Sequence, residues 1–529
     1  MRKVGSGSHG AVNDNEAPNS PPNHMQEAHV SNIKDLQDYF GLRHQHVNNL
    51  TLSFTKTGSI SKQLKHLRQS LKHAGVDGLT LDFRDCRGLS DRDMKLLGDE
   101  LPKLFPKLKR FTLVEWFEPG NEWNNKPIIT DQGYLALIKG LGKLKWLESL
   151  DISVSRRKVL SNELFIEFAK LIQLLPKLTD LRFALTGPEP CNGWNNPMEK
   201  GVEILVNSLK ELGQLEKLSL YFYGVGLSLQ NQMSLVTNIK ELKQLSTLHL
   251  KLVDRYAYAD EFWAEVAKII PELRRLSQIN LEGGSYLSNE SITHLSAAIS
   301  QLPLLASLGW NFAHNASITQ AQWGETAHTL VNMLANLVNL SQLNLNLGRT
   351  EITNSAFKAL CQGIKKLDNL TKLKINLKSS ELMNNSFQEL FQGMQNLNNL
   401  MELSLNLRNN KIATSAFQTL SQAIRKLTKL NSLELILYDS QQLTGDVVAD
   451  LAQNIGNLSE LTTLNLDLSN CNRANTIKAI NFLAKGVSQL DSLTSLTLNL
   501  QNLKITNDSL KELGKSLSQL NYLKALDLR

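Results

Sequence analysis

The sequence predicts an α/β solenoid, a stack of about sixteen coils of roughly 30 residues, with a concave parallel sheet and convex helices. Three observations predict it. One apolar pattern returns through the C-terminal third: Leu340-S-Q-Leu343-N-Leu345-N-Leu347, Leu370-T-K-Leu373-K-Ile375-N-Leu377 and Leu400-M-E-Leu403-S-Leu405-N-Leu407, then units opening at Leu430, Leu461 and Leu493. The openings from Leu340 to Leu493 are almost evenly spaced, a fixed period of the kind that marks repeat architectures. Within each period the hydrophobic spacing changes from two to that of a helix, so every unit carries one strand and one helix.

The strand comes first. Its leucines alternate with polar residues, which sends the leucines to one face and their neighbours to the other. A polar turn follows, and then an apolar stripe at spacings of 3, 4 and 3: Phe357, Leu360, Ile364, Leu367; Phe387, Leu390, Met394, Leu397; Phe417, Leu420, Ile424, Leu427. That spacing covers one face of a helix. Thr353, Asn385 and Thr414 stand where N-caps are expected, since their side-chain oxygens accept from the unpaired amides of the first turn. A single coil has no interior, and its apolar face is buried only when neighbours stack on both sides.

Traced backwards, the pattern drifts but persists at Leu305, Leu276, Leu245, Leu215, Leu178, Leu147, Leu108, Val76 and Val47, and it returns once more at Leu523. These give three segments: a disordered tail over 1–30, rich in Asn, Pro, Gly and Ser; a capping helix over 31–46, with Ser31 as cap and Ile33, Leu36 and Phe40 at helical spacing; and the solenoid over 47–529. The chain stops at Leu526-Asp-Leu528-Arg529, inside a strand, and the expectation is that further chain follows, because an uncovered sheet edge invites pairing with another chain.

On these residues the chain resembles the leucine-rich-repeat family, in its ribonuclease-inhibitor-like subfamily of long repeats with a full helix. The resemblance spans 47–529. It implies the horseshoe fold and says little about function. One departure concerns the family's asparagine after the strand, which here is shifted or missing because an extra apolar residue lengthens the strand, as in Leu496-T-Leu498-N-Leu500-Q-Asn502. The Asn- and Gln-rich wording of the repeats is similar in style to repeat proteins of ciliates and to secreted effectors of intracellular bacteria such as Legionella.

Composition narrows the function classes. Apolar residues make up 42% and aromatics only 6%, so aliphatic side chains must fill the core. The net charge of +7 comes from 57 basic and 50 acidic residues that are interspersed, many on predicted helix exteriors such as Lys365-Lys366 and Arg425-Lys426, which favours a solvated surface over a nucleic-acid patch. Cys86, Cys191, Cys361 and Cys471 are far apart and form no Cys-x-x-Cys pair, as expected of free thiols in a reducing compartment. The N-terminus has no apolar core of a secretory signal, and no run approaches the length of apolar chain that a membrane span needs. The expectation is a soluble monomer, cytoplasmic or delivered into a host cytosol by a non-Sec route.

Catalytic and cofactor signatures are lacking. Gly514-Lys515-Ser516 imitates the end of a phosphate-binding loop, but Ser509 takes the place of the first glycine and the segment reads as mid-helix. His44 and His46 have no accompanying ligand cluster. No nucleophile elbow or His-Glu-x-x-His is present, so neither an enzyme nor a cofactor nor a metal is expected.

Partner binding is expected on the concave face and on loops. Outward strand residues form ladders, one rung per coil. One column reads Asn346, Asn376, Asn406, Ile436, Asp467, Asn499, and the next reads Gly348, Lys378, Arg408, Tyr438, Ser469, Gln501, with Lys374 and Glu434 nearby. In the first half Trp116, Tyr221 and Tyr223 are expected to project outward with Arg182, His249 and Lys251, and a leucine core has no need of outward aromatics. Two coils are enlarged, the one from Leu108 to Leu147 and the one from Leu178 to Leu215, and both carry a similar tip, Asn121-Glu-Trp123-Asn124-Asn125 and Asn192-Gly-Trp194-Asn195-Asn196. A third long coil, from Leu305 to Leu340, holds Trp323. Insertions in solenoids map to loops on one face, often the binding face. The site residues expected for a protein partner are therefore Trp116, Trp123, Trp194, Tyr221, Tyr223, His249, Lys251, Lys378, Arg408 and Tyr438. The alternatives are a nucleic-acid-binding solenoid using the line Arg182, His249, Lys251, Lys374, Lys378 and Arg408, and the recognition part of a larger enzyme.

Overall fold

A computed structural model describes residues 25–30, 46–53, 75–83, 89–114, 129–155, 161–186, 199–223, 227–253, 259–283, 287–471, 477–503 and 505–529. The chain is a leucine-rich-repeat solenoid in which strands and helices alternate from residue 75 onward. All sixteen strand positions read from the sequence carry strands, from β2 (His46–Ser53) to β17 (Ala525–Leu528), and each pairs in parallel with the next. From Leu108 onward every strand begins two residues after the leucine that opens its unit, as with β4 (Arg110–Val114) and β11 (Gln342–Asn346).

A seventeenth strand, β1 (Met25–Val30), pairs in parallel with β2 with Ala28 opposite Leu50. The disordered tail expected over 1–30 is thus corrected for its last six residues, and the sheet begins before residue 47. The rest of that tail and residues 31–45 of the expected capping helix lie outside the described residues, while His46 already belongs to β2.

Burial follows the period. In β12 (Lys372–Asn376), β13 (Glu402–Asn406), β14 (Ser432–Ile436), β15 (Thr463–Asp467) and β16 (Ser495–Asn499) the second and fourth residues are buried and the others half-exposed. Leu403, Leu405 and Leu407 meet Phe417, Leu420 and Ile424 of helix α11 (Thr414–Lys426), and Leu427 just after it, within one apolar core that runs from Val47 to Leu520. Full burial of one such side chain contributes roughly 1.5–3 kcal/mol, and the stack gains it coil by coil. Helices are about 10 Å wide and strands about 4.8 Å apart, so the stack bends with the sheet inside.

The turns after the strands hold a recurring small polar residue. It lies three residues beyond the extra apolar residue, in a buried column of Asn315, Thr350, Ser380, Asn410, Ser440 and Cys471. Asn410 Nδ2 donates to Leu377 O (2.7 Å) and Leu407 O (3.0 Å), and its Oδ1 accepts from Ser380 N (3.2 Å). Thr350 Oγ1 donates to Leu347 O at 2.9 Å and Cys471 Sγ to Leu437 O at 3.1 Å. Asn410, Thr350 and Cys471 thereby satisfy carbonyls that the turn would otherwise bury unpaired. Burial raises the Cys471 thiol to about 11, an inert thiol that serves the turn in the place of an amide.

The helix starts correct the expected caps. Thr353 does cap helix α9 (Asn354–Ile364), its side chain accepting from Ala356 N. Asn385 and Thr414 instead lie inside α10 (Asn384–Met394) and α11, whose cap positions are Met383 and Ala413. Those amides are served from the preceding coil: Met383 N donates to Asn354 Oδ1 (2.7 Å) and Ala413 N to Asn384 Oδ1 (3.1 Å). Asp91, Asp131 and Asn162 accept from Thr130 N, Ser161 N and Gly201 N in the same way. Capping therefore runs between coils and ties each helix to its neighbour.

Candidate functional site

The register places the outward residues of β5 (Ser149–Ser155), β6 (Asp180–Thr186), β7 (Lys217–Tyr223), β8 (Thr247–Val253), β9 (Gln278–Glu282) and β10 (Ser307–Asn311) in two columns on the concave face. One reads Asp151, Arg182, Ser219, His249, Asn280; the other reads Ala184, Tyr221, Lys251, Glu282, Asn311. Rungs are about 4.8 Å apart, close enough for long side chains to meet.

They do meet. Arg182 Nε is 3.8 Å from Asp151 Oδ1, and its guanidinium lies over the Tyr221 ring at 5.1 Å. Lys251 Nζ pairs with Glu282 Oε2 at 2.8 Å, and Asn311 Nδ2 donates to the same oxygen at 3.2 Å. His249 Nδ1 is 3.3 Å from Ser219 Oγ, while its Nε2 is buried and lacks a hydrogen-bond partner. Burial raises the Asp151 carboxyl to about 6, against the pull of Arg182 and with the push of Asp180. Burial, reinforced by Arg182, lowers His249, and burial raises the Tyr221 phenol.

A second cluster lies beyond the ends of β12 to β14. The Asn column expected there is structural: Asn346, Asn376 and Asn406 accept through Oδ1 from Gly348 N (3.2 Å), Lys378 N (3.0 Å) and Arg408 N (3.2 Å), each an Asx turn that ends its strand. Residues 349, 379, 409, 439, 470 and 502 then take positive φ of 51° to 62°. The turns hold Lys378 and Arg408 in adjacent coils, with Arg349 in the coil before. Arg408 lies over the Tyr438 ring at 3.9 Å and its Nε is buried without a hydrogen-bond partner. Glu434 is engaged elsewhere, accepting from Ser404 Oγ (2.5 Å) and Asn465 Nδ2 (2.8 Å). Among the described residues no carboxylate forms an ion pair with Arg349, Lys378 or Arg408.

Of the expected site residues, Tyr221, His249 and Lys251 thus come together in the first cluster, and Lys378, Arg408 and Tyr438 in the second. Tyr223 lies on β7 beside Thr186 and Val253, and its side chain is outside the description. Trp116, Trp123 and Trp194 also lie outside the described residues. Trp323 proves to be an anchor: it is fully buried, opens helix α8 (Trp323–Asn336), and packs edge-on against Phe312, which stacks on Trp310. Phe222 of the expected Tyr-Phe-Tyr patch is buried in the core.

Sequence reasoning missed Asp151, Glu282 and Arg349. The signal for the first two was available, because aligning the units on their leucines puts Asp151 level with Arg182 and Lys251 level with Glu282. It also missed Trp146, which is 45% exposed at a helix-to-strand turn under the Lys177 ammonium, 3.5 Å from the ring centroid. Among the described residues no group of His, Cys, Asp and Glu is arranged to hold a metal, and no helix is long and apolar enough to cross a membrane.

No family model matches the chain, and no curated protein matches it in sequence. Among solved structures, it is similar to a chain in the crystal structure of the Rad7 and Elc1 complex in yeast, with 19% identity, a TM-score of 0.43, and coverage of 80% of this chain and 86% of that one.

Proposed function

We propose that this protein is a non-catalytic scaffold that binds a protein partner across its concave sheet, with Trp123 and Trp194 as further contacts. The observation that carries this reading is the first cluster, where Arg182 lies over Tyr221, His249 contacts Ser219 and Lys251 pairs with Glu282 on adjacent parallel strands. Ordered side chains on a stiff sheet lose little entropy when a partner docks, and Arg and Tyr are the residue types that most often dominate such contacts. Membership of the ribonuclease-inhibitor-like subfamily, with its long strand–helix repeats, agrees with the full helix that follows each strand from β11 to β16, as in α9 and α11. The narrower role, a secreted effector acting on a host protein, rests on the wording of the repeats.

Nucleic-acid binding is the weaker reading, because Arg182 and Lys251 each face a carboxylate that would repel a phosphate backbone.

The test is an affinity capture from eukaryotic lysate with the purified chain as bait, alongside Tyr221→Ala/Lys251→Ala on the concave face and Trp123→Ala/Trp194→Ala in the loops. A protein retained by the wild type and lost with the concave pair supports the reading. A catch unaffected by either pair, or one consisting of nucleic acid, overturns it.

A further inference from the structure

We infer that Arg349, Lys378 and Arg408 form a site for an oxyanion, phosphate or carboxylate, carried by a polypeptide partner; this deepens the scaffold reading and rests on it. Three cations occupy three successive coils, one rung of about 4.8 Å apart. Three other cations on this sheet have counter-charges: Arg182 faces Asp151, Lys251 faces Glu282, and Lys372 faces Glu402 at 2.5 Å. The triad has none among the described residues.

The protein has arranged these groups at a cost. Asx turns through Asn376 and Asn406 fix the backbone that carries Lys378 and Arg408. The Tyr438 ring supports the Arg408 guanidinium, leaving its edge available, and Arg408 Nε has neither solvent nor acceptor. Desolvation, together with the flanking Arg349 and Arg408, lowers the Lys378 ammonium, as expected where positive charge accumulates without relief. Gly348, two residues after Asn346 as Lys378 is after Asn376, presents no side chain, and a methyl there would meet Lys378 O at 3.3 Å. A planar guanidinium supported on an aromatic face, next to an ammonium, suits bidentate capture of an oxyanion.

Fluorescence anisotropy of the purified chain tests this with three labelled nonapeptides of Gly and Ser that carry Ser, Glu or phosphoserine at the centre. The phosphoserine or Glu peptide is expected to bind at least about tenfold more tightly than the Ser peptide. Preference for phosphoserine assigns a phosphate, and parity of the two assigns any carboxylate. Lys378→Gln/Arg408→Gln should abolish the difference, while Lys365→Gln/Lys366→Gln, with the same change in net charge, should keep it. Arg408→Lys keeps the charge but not the planar fork, and should lose about threefold. Melting curves confirm that each variant is folded, and Lys378→Gln alone serves if the double variant is not. Equal binding of all three peptides, equal loss in the two double variants, or a nine-nucleotide single strand that binds more tightly and shows the same sensitivity would each overturn the proposal. The peptides are defined probes, so a negative result here leaves the lysate capture free to succeed, and the two failures are distinct.

Discussion

In the first half of the sheet, β5 to β8 run for seven residues each, whereas β10 to β16 stop at five. The fifth residue accounts for much of the contrast. In β5 to β8 it is Ser153, Ala184, Tyr221 or Lys251, and the strand runs on; in β10 to β13, β15 and β16 it is Asn or Asp, whose side-chain oxygen takes the amide two residues later and turns the chain. β9 and β14 stop at five without such a turn, each beside strands that have one. The longer strands give a broader concave face, where opposite charges reach each other across rungs. The shorter ones put Lys378 and Arg408 on turns, out of reach of a carboxylate. Similar residue types, aromatic and basic, thus make a neutralised surface in one half and a cationic one in the other.

Helix contacts vary along the stack too, and the largest expected effect lies there. Helices α1 (Asp91–Leu104) and α2 (Asp131–Leu141) touch backbone to backbone, where a methyl added at Gly140 would run into Gly98 and one added at Gly98 into Ala136 O. Gly140→Ala should destabilise by about 1–3 kcal/mol through overpacking. At Gly393 in α10 a methyl would meet Lys365 Cβ at 3.6 Å and Cys361 O at 3.7 Å, ordinary contacts, so Gly393→Ala should be neutral or stabilise by up to about 1 kcal/mol through helix propensity. Urea denaturation followed by circular dichroism compares the two, and equal losses would remove the contrast.

Next in size is the Asx turn. Asn406→Ala should cost about 1 kcal/mol, the usual worth of one such hydrogen bond, and Asn376→Ala the same. Ser153→Ala on the long strand β5 should cost less, since no such turn depends on it. Denaturation midpoints that rank Ser153→Ala as the costlier change would contradict this account of strand length.

The smallest expected effect depends on pH. The Asp151 carboxyl has its folded pKa raised to about 6, from 3.8. The native state therefore takes up the proton before the unfolded chain does: the burial penalty is fully present above pH 6 and is relieved as pH falls from 6 towards 4. Asp151→Asn should stabilise by up to about 1 kcal/mol at pH 7.5, because the loss of Arg182's partner offsets part of the gain, and by nothing at pH 4. A stabilisation that grew on acidification would show that Arg182, and not desolvation, governs this carboxyl.

The repeat was legible in the sequence because period two and period 3.6 each follow from backbone geometry alone, and Leu343, Leu345 and Leu347 lie inward as that spacing requires. The clusters were legible only in part. Tyr221, Lys251 and Arg182 could be assigned to the outer face, but their pairing with Glu282 and Asp151 depends on register between coils of unequal length. Trp323 misled because a long coil suggests a loop, whereas here it opens a helix and fills the core. The buried polar column was missed, since Thr350 and Cys471 do the work of Asn410 with different side chains. The caps were misplaced because the acceptor for Met383 N is Asn354, one coil earlier, and local spacing cannot show it.

The central claim is that the concave sheet is the surface that meets a partner. Photo-crosslinking tests it directly, with a photoreactive residue placed singly at Tyr221 or Asn280 on the sheet and at Glu203 or Gln422 on exposed helix positions. The account predicts discrete protein adducts from the two sheet positions and none from the helices. Adducts confined to the helix positions would contradict it.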